Sequence, residues 1–332
     1  MVRQVSIVPH THWDREWYAP FQRFRLRLVD LLDDLLARLD ADPSYRHFLL
    51  DGQMAVVDDY LEVRPHEADR IARLNRTGRL AMGPWYTLPD EFLVSGETLV
   101  RNLRAGLDRA AHFGGAMAVG YLPDMFGHVA QMPQILRSFG FEHAVVWRGV
   151  PAAVTETAFA WTAPDGSTVR AEYLPGGYGN GSRLPGDADQ LVALIDGFVH
   201  RHDVDTVGPV LWMNGSDHVL PRPWLGRVVG DANRSQDTSE LEIRSLADHL
   251  AEASAEASVT DLAGWSGELR SGARANLLMG VASNRVDVKI AAARAERTLE
   301  RVAEPLSALF LEPSAWPRSL LDLAWRSVVV NS

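Results

Sequence analysis

Residues 10–18, His10-Thr11-His12-Trp13-Asp14-Arg15-Glu16-Trp17-Tyr18, put two imidazoles and two carboxylates into one short stretch. Imidazole with carboxylate suits zinc and its neighbours better than magnesium or calcium. His12 and Asp14 flank a single residue, so in extended backbone both side chains point the same way. The plainer alternative is a solvated loop whose histidines cap a helix; the flanking tryptophans and the preceding strand-like run favour function. A second cluster, Leu122-Pro123-Asp124-Met125-Phe126-Gly127-His128, also follows an apolar run. Asp124 there is either a carboxylate aimed into a cleft or the N-cap of a helix. The third, Met213-Asn214-Gly215-Ser216-Asp217-His218, offers Asp217 and His218 for catalysis, ligation or simple turn formation.

The elements that must position these clusters alternate. Strand-like runs lie at 5–8, 48–50, 80–83, 119–122, 144–147 and 210–213. Helical periodicity covers 24–39, 56–63, 68–75, 97–113, 130–139 and 191–200. Strands alternating with helices predict a parallel sheet covered on both faces, as a barrel or an open sheet. Ligands then bind beyond the carboxyl ends of the strands, where all three clusters fall. Two carboxylates facing each other there are what glycoside hydrolysis requires. Trp13, Trp17, Trp85, Tyr86 and Trp147 lie near the same ends and could stack on sugar rings, although core packing is the ordinary fate of each. Residues 176–181 read as a flexible glycine-rich loop. After residue 274 strand signals almost vanish, and 287–303 and 320–330 have helical spacing. A division near 264–272 gives regions 1–265 and 266–332.

The chain has 332 residues, 46% hydrophobic and 23% charged, which excludes disordered and fibrous classes. Its 33 Lys plus Arg against 43 Asp plus Glu give a net charge of -10, so no nucleic-acid partner is expected. Absent cysteine removes disulfides, thiolate metal sites and cysteine nucleophiles. No segment has the apolar length of a membrane span, and residues 1–7 lack a leader's apolar core, so a cytoplasmic location without membrane partners is expected.

Together these motifs resemble glycoside hydrolase family 38, the zinc-dependent retaining α-mannosidases. The likeness begins at Val8–Trp17 and continues through Asp51-Gly52-Gln53, Gly83-Pro84-Trp85-Tyr86, Ser95-Gly96-Glu97, Arg101-Asn102-Leu103 and Pro123–His128. It runs on through Trp147-Arg148-Gly149, Ala163-Pro164-Asp165-Gly166, Asn214–Asp217 and Gly267-Glu268-Leu269-Arg270. The resemblance implies an irregular parallel β/α barrel of about seven or eight strands, followed by the start of an all-α helical bundle. It implies one Zn²⁺ held by His12, Asp14 and Asp124, with Asp124 as nucleophile and Asp217 as general acid/base. Arg148 would sit beside the nucleophile, Trp17 and Trp85 would serve the sugar, and His10 would support the site without ligating. The substrate implied is a mannose-containing oligosaccharide or glycoside; homo-oligomerisation is left open.

The family draws a fourth zinc ligand from a motif that follows a segment like Ala324–Asn331, and this sequence ends at Ser332. The expectation is therefore an N-terminal fragment, weakly active or inactive alone, in which helix 320–331 lacks partners for its apolar face. The rival readings are another zinc hydrolase on a β/α barrel, a deacetylase or phosphoesterase, and an inert carbohydrate-binding fragment.

Overall fold

The computed structural model describes residues 2–202 and 204–332. Strand β1 (Arg3–Pro9) lies between two parallel neighbours, β8 (Val210–Asn214) and β9 (Ser239–Ile243). Its register sets Pro9 against Asn214 and Ile7 against Ile243. Strands β2 (Phe48–Leu49) and β3 (Leu80–Ala81) form a two-residue parallel pair, joined to β1 at His10–Leu49. A third sheet runs in the order β10 (Gly264–Ser266), β6 (Ala158–Thr162), β7 (Thr168–Tyr173), β5 (His143–Val146), β4 (Gly120–Leu122).

The expected closed ring of parallel strands is not formed by strand pairing among the described residues. The strands fall into three sheets, and β6 runs antiparallel to β7. The cause is local. Pro164-Asp165-Gly166 makes a tight turn in which Asp165 accepts from Ser167 N–H and Gly166 takes φ +89°, folding β6 back on β7. Between the sheets, single bonds replace ladders: Met117 N–H donates to Met82 O, and Gly181 N–H to Met213 O.

Helices connect the strands: α1 (Phe21–Ala41), α2 (Ala55–Leu61), α3 (Ala68–Arg76), α4 (Gly96–Ala111), α5 (Met132–Ser138), α6 (Ala188–Arg201), α7 (Leu225–Ser235) and α8 (Leu246–Glu256). In α1, Phe24, Leu28, Leu31, Leu32, Leu35, Leu36 and Leu39 recur at helical spacing and are all buried. Burying each is worth about 1.5–3 kcal/mol, which outweighs the absence of a side-chain N-cap at Pro20. Helix α4 starts sharply because Ser95 accepts from Thr98 N–H. A compact apolar cluster collects Val8, Leu49, Tyr121, Val145, Leu211 and Met213, one or two residues from each of β1, β2, β4, β5 and β8.

Residues 264–271, on both sides of the expected division, pair with β6 and with the loops that carry His128 and Gly149. Beyond them lie α9 (Val286–Thr298), α10 (Glu304–Phe310) and α11 (Arg318–Val329). One face of α11 does find partners: Leu321, Trp325 and Val329 are buried, Arg101 of α4 stacks on Trp325 at 4.2 Å, and Thr87 Oγ1 donates to Val329 O. Leu320 and Leu323, on its other face, stay exposed. No helix of the described residues is long and apolar enough to cross a membrane.

Candidate active site

The loops leaving β1, β2, β3 and β4 line one cleft of about 620 Å³ whose walls include His12, Asp14, Gln53 and Asp124. The opposite wall comes from Leu88-Pro89-Asp90 and from residues 330–332. Backbone bonds stitch the first and last loops together: His12 N–H donates to Ser216 O, and His218 N–H to His12 O. Gly215 is required here, because a Cβ at that position would lie 2.0 Å from His10 O.

His12 points Nε2 at two carboxylates, Asp14 Oδ1 and Asp124 Oδ2, each 3.9 Å away. Its Nδ1 faces Asp51 Oδ1 at 3.4 Å. Asp51 is fully buried, takes φ +86°, and accepts from Trp13 N–H, Gly52 N–H and Gln53 Nε2. Burial alone would raise the Asp51 carboxyl, but His12, Gln53 and the Trp13 amide hold it below the usual range. Burial likewise opposes charge on His12, yet Asp51 foremost, with Asp14 and Asp124, pushes the imidazole up to about 10. Asp14 is pushed up to about 6 by burial and the neighbouring carboxylates, against His12. Asp124 is also raised, by burial and by Asp217, while His12 and Arg148 oppose the shift.

Arg148 donates Nε–H to Asp124 Oδ1 at 2.6 Å and is itself held by Asn276 O and stacked on Trp147 at 4.0 Å. Tyr178 links Asp124 to Asp217: its hydroxyl lies 2.7 Å from Asp217 Oδ1 and 3.4 Å from Asp124 Oδ2. One phenolic oxygen within reach of both leaves those oxygens no more than about 6 Å apart. Burial beside the acids pushes the phenol well above its ordinary value, so it is a proton donor.

Imidazole with carboxylate is a donor set that suits zinc. His12, Asp14 and Asp217 each bring one donor atom to within 4.8 Å of the others, a spacing that bonds of about 2 Å could span. A carboxylate behind the other ring nitrogen is the usual support of a ligating histidine. Asp124, outside that grouping, still approaches His12 Nε2 to 3.9 Å through Oδ2.

His10, expected to support the site, is buried and pushed down to about 4 by that burial; its Nε2 meets Tyr178 O at 2.7 Å. His218 Nε2 accepts Asp14 N–H, fixing that residue's backbone. His128 is sealed in the interior against Glu91. Trp85, expected at the sugar, is a correction: its ring is wholly buried in the core and does not line the cleft, because Trp85 N–H pairs with Gly52 O and turns the indole inward. Trp17 is two-thirds exposed, edge-on to Tyr18. Tyr178 and the Asp51 hub were not anticipated as site residues; a lone aromatic between glycines, and the Asp51-Gly52-Gln53 motif, were the available signals.

Close carboxylates at a strand-end cleft are the equipment of a glycoside hydrolase. Residues 2–268 match the model described as "Glycosyl hydrolases family 38 N-terminal domain", and the chain belongs to that family. Among curated proteins it is 33% identical over its full length to a Halalkalibacterium halodurans protein described as "Putative mannosylglycerate hydrolase", covering 38% of it. It is 26% identical over 97% of its length to human "Alpha-mannosidase 2C1", covering 30%. A solved α-mannosidase from Enterococcus faecalis V583 superposes with TM-score 0.93 at 31% identity over 99% of this chain and 38% of that one. The chain thus spans well under half the length of these relatives.

Proposed function

We propose that this chain carries the catalytic face of a zinc-dependent, retaining α-mannoside hydrolase. The observation that supports it most is the close approach of His12, Asp14, Asp124 and Asp217, brought from two distant loops and the β4 end, with Tyr178 spanning the carboxylate pair. His12, Asp14 and Asp124 would hold Zn²⁺, which when bound supplies orientation and charge stabilisation at the sugar hydroxyls. Asp124, kept ionisable by Arg148 against the effect of burial, attacks the anomeric carbon. Asp217 protonates the leaving oxygen and then takes a proton from the water that releases the sugar. Arg148 holds one Asp124 oxygen and so fixes the direction of attack. Trp17, exposed beside the cleft residue Glu16, would offer its ring to a sugar face.

The architecture that goes with this reading is an irregular β/α barrel, residues 1–265, around the cluster shared by β1, β2, β4, β5 and β8, with 266–332 opening a helical domain. The substrate class is a terminal α-mannoside, and mannosylglycerate belongs in the panel because the H. halodurans relative's description names it. The test is proton NMR of early product from an α-mannoside, with zinc supplied. α-Mannose appearing first is the expected result, and Asp124→Asn and Asp217→Asn should each abolish it. β-Mannose first, or an active Asp124→Asn, overturns the proposal.

A further inference from the structure

The loop that carries Asp124 has little along its own length to hold it. Among the described residues, 123–127 make no backbone hydrogen bond, and Gly127 takes φ +100°. The fixed point comes directly after, and it is supplied from across the cleft. Glu91 follows Leu88-Pro89-Asp90, which line the opposite wall, and its side chain is wholly buried. Its Oε1 meets His128 Nδ1 at 2.7 Å, and its Oε2 accepts Val129 N–H at 2.8 Å. A carboxylate only accepts, so the ring proton sits on Nδ1 and both oxygens are spent on the end of the Asp124 loop. Phe92, the next residue, lies 3.2 Å from where a Cβ on Gly127 would stand, and Arg270 stacks on Phe92 at 4.1 Å. The His128 backbone pairs with Leu269 in both directions. One buried carboxylate thus joins two walls of the cleft at their base.

We propose that Glu91 is a positioning residue for Asp124: it clamps the nucleophile loop to the wall formed by 88–90 and so sets where the Asp124 carboxylate stands against a sugar held in the cleft. This rests on the assignment of Asp124 as nucleophile given above. Arg148 holds Asp124 through one oxygen, which aims the carboxylate but does not fix the distance of its loop from the far wall. A reacting group displaced by about 1 Å can cost about a hundredfold in rate. Glu91 is sealed away from the cleft and acts only through the loop it grips.

The test compares two ligands by calorimetry on the whole chain with zinc supplied. Mannose is neutral; the manno-configured iminosugar deoxymannojirimycin carries a ring ammonium beside the anomeric position, which pairs with a nucleophile carboxylate. The ratio of the two affinities reads the place of that carboxylate, and a loss of stability alone does not move it. Glu91→Met fills the volume but offers no acceptor, so the preference for the iminosugar should fall about tenfold or more while mannose affinity changes about threefold or less. Glu91→Gln keeps an acceptor for Val129 N–H and should stay within about threefold of the parent's preference. A folded Glu91→Met with the parent's preference, however far its urea midpoint drops, overturns the inference and leaves the hydrolase reading standing. A parent chain that binds neither ligand, or binds both alike, overturns that reading and the clamp with it. Should Glu91→Met fail to fold, His128→Asn shortens the other end of the clamp: a preference lowered about threefold or more supports the inference, and an unchanged one refutes it.

Discussion

Replacing Asp51 by alanine would strip the site's hidden anchor. Its carboxylate accepts three hydrogen bonds, from Trp13 N–H at 2.9 Å, Gly52 N–H at 2.7 Å and Gln53 Nε2 at 2.9 Å, and faces the His12 ring. Bonds to a charged acceptor contribute about 1.5–3 kcal/mol each, and a buried donor left unpaired costs about 1–3 kcal/mol. Some relaxation and water entry into the vacated volume reduce the sum, giving a loss of about 3–5 kcal/mol. With a urea dependence of about 3 kcal/mol per molar, the unfolding midpoint should fall by about 1–1.7 M at pH 7. Asn at this position keeps one acceptor oxygen but turns an amide N–H toward existing donors, so it should recover only part of the loss. The carboxyl's folded value lies below its usual range, so its contribution is present above about pH 4 and lost on further acidification. Chelator-treated protein followed by tryptophan fluorescence in urea provides the measurement. A midpoint within 0.3 M of the parent, roughly 1 kcal/mol, would refute the role assigned to this residue.

Three further outcomes are expected. Gly215→Ala should lower Tm by at least about 5 °C, since the new methyl would overlap His10 O, a backbone atom that cannot yield; an unchanged melting curve counts against the close β1–β8 approach. Trp85→Phe should cost about 1–3 kcal/mol in urea yet leave α-mannoside affinity untouched, and a tenfold loss of affinity in folded protein would return the indole to the cleft. For metal-free protein, the His12 imidazole is raised in the fold to about 10 from its ordinary 6.5. Its contribution is then complete below about pH 6.5 and disappears as pH climbs through 10, so the urea midpoint should fall between those values, and less steeply in His12→Gln; parallel slopes would dismiss the effect.

The three polar clusters stand out in the sequence because each sits immediately after a strand-like run, where short-range signals are strong. In the structure His12 Nε2 lies 3.9 Å from Asp14 and from Asp124, Arg148 bonds Asp124, and Asp217 groups with His12 and Asp14. Tyr178 was not legible: residues 176–181 read as a loose loop, and the bonds that order it are largely long-range, among them Gly181 N–H to Met213 O, Met213 N–H to Asn180 Oδ1 and His10 Nε2 with Tyr178 O. Trp85 erred for the converse reason, since proximity to a strand end does not say which way a ring turns. The β6–β7 hairpin went unread although its Pro-Asp-Gly turn is explicit. Residues 251–257, bland as sequence, fall largely in α8, whose Leu246, Leu250 and Ala253 are buried.

The stitching of His12 to residues 216 and 218 also bears on the order of folding. His12 and Asp14 are made early in the chain, but the cluster that includes Asp217 does not exist until β8 docks on β1, some two hundred residues later. Closing a loop of that size costs about 4–5 kcal/mol in chain entropy. The cleft is therefore a late product of the chain's collapse. A polypeptide interrupted anywhere between β4 and β8 would lack the Asp217 cluster, so any metal affinity of the proposed site would read out completed topology as much as local chemistry.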